Sequence, residues 1–100
     1  MVEKYEVQIV RDPATGIISH ESWRLRGQLH RVGGPALINR DPKTGIVFHE
    51  EWCRHNLKHR NDGPALIFRD RNSGEVLEES HYSFGTEDIT NHPELIDPSM

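Results

Sequence analysis

Two dipeptides, His20-Glu21 and His49-Glu50, stand 29 residues apart, and two more, His30-Arg31 and His59-Arg60, share that spacing. Histidine beside a carboxylate suggests a metal ligand pair or a general base. Histidine beside arginine suggests a donor row for a partner's acidic groups, or for backbone carbonyls left unpaired in a loop. Each chemistry requires convergence in space. On a β-strand, neighbouring side chains point to opposite faces, so His20 and Glu21 should not meet. His20 and His49 would share a face two strands apart, about 10 Å by the strand spacing, too far for one metal without a third ligand between them. The single cysteine, Cys53, has no counterpart in the other copy, where Arg24 stands. Its distance from His49 and His55 along the chain gives a poor Cys–His nucleophile. No phosphate-cradling glycine loop, zinc quartet or Ser/His/Asp signature occurs. The reading is therefore no catalytic residue, no metal and no cofactor.

The spacing itself leads to the elements. Residues 11–39 and 40–68 align without a gap and agree at 16 of 29 positions. Such a match marks an internal duplication, and a duplication decides the fold. The period runs on in both directions. Residues 1–10 supply a leading half unit through YEVQIV. Residues 69–97 form a degenerate unit, in which Pro93, Leu95 and Ile96 keep phase with Pro64, Leu66 and Ile67, and residues 98–100 read as a flexible tail. Atypical end units are what a repeat stack needs.

Each unit opens with a turn. In RDPATG and RDPKTG, Pro13 and Pro42 preset φ, Asp12 and Asp41 can bond the backbone ahead of them, and Gly16 and Gly45 supply a left-handed closing position. Gly74 keeps that place in RDRNSG. The runs between turns are short and rich in β-branched and aromatic residues: YEVQIV, IISHESW, PALIN, IVFHEEW, PALIF and EVLEESHY. They predict an all-β domain, an antiparallel meander of about six strands built from repeated β-hairpins in a single curved sheet. Tight turns should line one edge and wider His-Arg-x-x-Gly-Pro-Ala connections the other. Alternation places Ile17, Ser19, Glu21 and Trp23, with Ile46, Phe48, Glu50 and Trp52, on one face, which is expected to be the buried side. A sheet with no helix to cover it suggests a homodimer, or a cap from residues 85–100 through Leu95 and Ile96.

Composition narrows the function. A 100-residue chain is one domain, and an apolar share of 34% argues for a thin core. The net charge of −4, with both signs interspersed, gives no case for direct nucleic-acid binding. No apolar run approaches a membrane span, and the N-terminus does not read as a signal peptide. A cytoplasmic protein with a reduced thiol is expected.

The pattern W-x(3)-[GN]-x(2)-HR-x(2)-GPA-x-I is carried by Trp23, Gly27, His30, Arg31, Gly34, Pro35, Ala36 and Ile38. Trp52, Asn56, His59, Arg60, Gly63, Pro64, Ala65 and Ile67 carry it again. It resembles the MORN-like repeats of small bacterial and phage proteins, among them the MORN-variant family of antitoxins, over about residues 5–85. The resemblance implies β-hairpin repeats in an elongated sheet, and contact with other proteins or lipids rather than catalysis. The function expected is a non-catalytic protein–protein interaction module. It would be a small phage or bacterial inhibitor that neutralises a larger partner, such as a toxin or a host-defence complex of the CRISPR-Cas kind. Candidate partner-binding residues are His30, Arg31, His59, Arg60, Trp23 and Trp52. The alternatives are a metal-binding or hydrolytic protein using the His/Glu pairs, and a structural self-assembling repeat protein.

Overall fold

The computed structural model of the chain describes residues 2–88. The second half of the trailing unit, with Leu95 and Ile96, and the tail lie outside the described residues. The fold is all-β and antiparallel. Strands β1 (Tyr5–Arg11), β2 (Ile18–Leu25), β4 (Leu37–Arg40), β5 (Val47–Glu51), β8 (Leu66–Arg69) and β9 (Val76–Ser80) lie side by side in that order. These are the six runs expected from the sequence. The sheet does not close into a barrel. No helix of the described residues is long and apolar enough to cross a membrane.

The tight turns close as their composition requires. In the second, the Asp41 carboxylate accepts the N–H groups of Lys43 (2.8 Å) and Thr44 (3.0 Å). Those two donors hold the Asp41 carboxyl below the usual carboxylate range. Gly45, at φ +78°, turns its N–H back to the Asp41 carbonyl at 2.9 Å. Successive turns are clasped together. The Thr15 hydroxyl donates to the Pro42 carbonyl (2.7 Å), and the Thr44 hydroxyl to the Arg71 carbonyl (2.8 Å).

On the other edge the structure differs from a plain wide connection. Each unit inserts a two-residue hairpin before its His-Arg segment. The end of β2 pairs with β3 (Gln28–Leu29), β6 (Cys53–Arg54) with β7 (Leu57–Lys58), and β10 (Tyr82–Ser83) with β11 (Thr86–Glu87). The central pairs Arg26-Gly27, His55-Asn56 and Phe84-Gly85 all have positive φ, the geometry of a type I′ turn that matches strand twist. Arg26 and Phe84 are unusual residues for a left-handed position, which is why the sequence does not announce these turns.

Direct pairing sets the faces. Glu21, Ile38, Glu50 and Ile67 follow one another across β2, β4, β5 and β8. The opposite face carries the row His20, Asn39, His49 and Phe68. The apolar centre does sit on the tryptophan face, where Ile38 is 6% and Ile67 is 4% exposed. Among the described residues no second layer covers the face as a whole, and they form a body only 17 Å thick. Trp23 and Trp52 are half-buried, roofed by arginines rather than by apolar residues. A single sheet this thin shields its rings with the planar heads and aliphatic stems of long cationic side chains.

Candidate partner-binding groove

The His-Arg segments first build the joint between successive units. His30 and His59 are buried. The N–H of His55, in the next unit's small hairpin, donates to His30 Nδ1 at 3.1 Å, and the N–H of Phe84 donates to His59 Nδ1 at 3.1 Å. The rings lie against the residues whose N–H groups they receive, His30 tilted on His55 at 4.2 Å and His59 stacked on Phe84 at 3.8 Å. These histidines accept from the backbone, the reverse of the donor role expected from the sequence. Acceptance at Nδ1 places the ring proton on Nε2. Asn56 completes the joint, receiving the Leu29 N–H at its Oδ1 (2.7 Å) and donating its own N–H to the Leu29 carbonyl (2.8 Å).

The arginines do fill loop carbonyls. Arg31 donates to the Pro35 carbonyl at 3.3 Å and Arg60 to that of Pro64 at 3.1 Å. Each guanidinium also lies on a tryptophan, Arg31 over Trp23 at 3.9 Å and Arg60 over Trp52 at 3.7 Å. Below each indole edge a carboxylate accepts the ring N–H, Glu21 at 2.8 Å and Glu50 at 2.9 Å. The bond from Trp23, helped by Arg40 and Arg31, draws the Glu21 carboxyl below its ordinary range despite partial burial. The repeated Gly34 and Gly63 now have a reason. A Cβ at either would stand 2.9 or 2.8 Å from the neighbouring guanidinium carbon, so the arginine is sandwiched between glycine and tryptophan. Gly63→Ala is expected to evict Arg60 from Trp52, shift the tryptophan emission and cost about 1 kcal/mol. Unchanged emission and melting temperature would mean that the sandwich tolerates a methyl group.

The His/Glu pairs separate as strand geometry demands. Glu21 serves the tryptophan face, while His20 lies on the other. Asn39 stands between His20 and His49, its Oδ1 2.7 Å from His20 Nδ1 and its Nδ2 2.9 Å from His49 Nδ1. The position a third metal ligand would need is thus held by an amide. His49 Nε2 continues the chain to Glu51 at 3.3 Å, where Lys58 also lies at 3.3 Å. The hydrogen bond from His49, then Lys58, lowers the Glu51 carboxyl's pKa. Among the described residues no three His, Cys, Asp or Glu side chains gather as a metal site. Cys53 is buried, and burial, with Glu51 nearby, pushes its thiol up to about 11, so it is not a thiolate at neutral pH.

One groove open to a ligand lies between the first and second His-Arg loops. It has a volume of about 310 Å³ and is lined by Arg31, Trp52, Arg54, His59, Arg60 and Asp62, among others. Arg31 lies 3.9 Å from Glu21, and Arg60 pairs with Asp62 at 3.2 Å. The Arg54 side chain makes no hydrogen bond or ion pair among the described residues. One unit further on, the equivalent groove is lined by Arg60, His81, Ser83 and Asp88, with Ser83 in the place of Arg54 and Asp88 in that of His59. Three arginines therefore converge at the first groove and not at the second. Of the six candidates from the sequence, Arg31, Trp52, His59 and Arg60 line this groove, whereas Trp23 and His30 do not. Arg54 was missed because only one of the two full units carries it; Leu25 stands in its phase in the other. Comparison of the chain with protein-family models, with curated proteins and with solved structures finds no match.

Proposed function

We propose that the protein is a non-catalytic protein-binding module that receives an acidic group of a larger partner between its first and second His-Arg loops. The observation that carries this reading is the uncommitted Arg54 beside Arg31 and Arg60 over the Trp52 ring. A carboxylate entering there would meet planar donors suited to bidentate pairing, next to an aromatic anchor. The groove is at the small end of ligand sites, which suits a side chain better than a free metabolite. The described residues extend 53 by 41 Å in their two long directions, so either broad face exceeds the roughly 800 Å² that one partner gives to a standard interface. A plate of that kind acts by occlusion, in keeping with an inhibitor or neutraliser and with the resemblance of its motif to MORN-like repeats.

Affinity capture from host lysate tests the reading, with Arg54→Glu and Lys43→Glu beside the wild type. Lys43 lies in a tight turn, on the opposite edge. Binding of one protein that falls about tenfold or more with Arg54→Glu and is kept by Lys43→Glu is the expected result. Equal retention by both variants would move the contact away from the groove.

A further inference from the structure

Among the described residues β1 and β9 are the outer strands of the sheet, and they are complementary to each other. Strand β1 stands in phase with β4 and β8, so that Ile9 matches Ile38 and Ile67, and Arg11 matches Arg40 and Arg69. Inside the sheet these positions are used. Ile38 pairs across to Glu21, and Ile67 to Glu50. Arg40 meets Glu21 at 3.3 Å, and Arg69 meets Glu50 at 2.9 Å. At the leading edge the same residue types stand without that partner strand. Ile9 is 49% exposed, where Ile38 is 6% and Ile67 is 4%. Arg11 has no carboxylate partner among the described residues and donates instead to the Gly16 carbonyl at 2.7 Å.

The trailing edge holds the other half. Strand β9 is in phase with β2 and β5, and Glu79 with Glu21 and Glu50. Glu79 is exposed and makes no ion pair among the described residues. Position 98, which would carry its arginine by phase, is proline. Charge follows the same polarity. Every Lys and Arg lies at or before residue 71, while Glu75, Glu78, Glu79, Glu87 and Asp88 crowd the described part of the trailing end. Exposed Val76 and Leu77 on β9 face the task that exposed Ile9 and Val10 face on β1.

We infer that the β1 edge of one molecule docks on the β9 edge of a second copy, continuing the sheet in the register that β8 takes on β5. The register His49↔Phe68, Glu50↔Ile67, Glu51↔Leu66 becomes Glu78 against Val10, Glu79 against Ile9 and Ser80 against Gln8. Arg11 of the arriving copy then falls on Glu79, as Arg69 falls on Glu50. At the turn edge, Ser73 stands where Thr15 and Thr44 reach the next turn, and the carbonyl in that phase on the second copy is Pro13. Paired backbone along an open edge supplies the affinity, and the ion pair and the isoleucine set the register. Such a joint is heterologous, so it extends head to tail rather than closing on a two-fold axis. It uses the strand edges and is independent of the groove on the loop edge.

Sedimentation of the full-length chain over a concentration series tests the joint. The wild type should form concentration-dependent species beyond a dimer. Arg11→Glu and Glu79→Arg should each weaken association about tenfold or more, because each sets like charges opposite one another. An equimolar mixture of the two variants, and the double variant carrying both changes, should regain it. A wild type that stays monomeric throughout overturns the proposal. A closed dimer unaffected by either charge reversal also overturns it. Far-ultraviolet circular dichroism of each variant separates lost association from lost folding.

Discussion

Ile67→Ala is expected to destabilise the protein by about 2–4 kcal/mol, measured as a shift in the urea midpoint. Ile67 lies mid-sheet, with Glu50 on one side and Glu79 on the other. It is one of few apolar side chains that are almost wholly shielded, with Leu25, Ala36, Ile38, Cys53 and Ala65. A thin 100-residue domain has only about 5 kcal/mol or somewhat more to lose. The three side-chain carbons removed at this point therefore take away a large fraction of the total. Ile9→Ala, at the same phase on the outer strand, removes a side chain that is half in water and should cost under about 1 kcal/mol. Equal costs at the two sites would mean that the central row does not carry the stability of the sheet.

The second large effect is an acid transition centred on the joint at His30. His30 is held neutral in the folded protein, first by burial and then by the charges of His55 and Arg54, so its pKa lies below the ordinary 6.5. Its Nδ1 accepts the His55 N–H, and a protonated ring has no lone pair there to offer. Above pH 6.5 the ring is neutral both folded and unfolded, and the joint contributes in full. As pH falls below that value the unfolded chain takes up the proton first, and stability declines until the lowered folded value is reached. The slope in that window is at most about 1.4 kcal/mol per pH unit for one such group. The Glu21 and Glu51 carboxyls, held below their ordinary range, act in the same direction at lower pH. Thermal melts from pH 8 to pH 5 should show the decline, and His30→Leu should be less stable at pH 8 but flatter across the range. A wild-type profile that stays level down to pH 5 would show that the joint does not depend on a neutral ring.

Much of this architecture is legible in the chain because the repeat writes it twice. Asp-Pro-x-Thr-Gly specifies its turn through residue types that have few other uses, and period-two alternation fixes the register of the six long strands. The small hairpins are not legible, because arginine at 26 and phenylalanine at 84 do not by type announce a left-handed position, and the bonds that hold His55 and Phe84 come from His30 and His59 of the preceding unit. The roles within the motif are also hidden. Repetition marks His30, Arg31 and Gly34 as a set, but only the packing reveals that the glycine makes room for the arginine and that the histidine receives an N–H from the next unit. Arg54 shows the opposite limit, since a residue present in one full unit alone leaves no periodic trace.

The clasps between units have one more consequence. The side-chain bonds from one turn or loop to the next span similar stretches of chain: Thr15 to Pro42, Gln28 to His55, Leu29 to Asn56 and Thr44 to Arg71 each span 27 residues, His30 to His55 and His59 to Phe84 span 25, and Asp41 to Arg71 spans 30. Each unit lays down two strands and so advances the sheet by about 10 Å. The molecule is a graduated ruler. Its span is counted in whole divisions, and splicing in another 29 residues would move its two ends apart by one division while every existing joint kept its geometry.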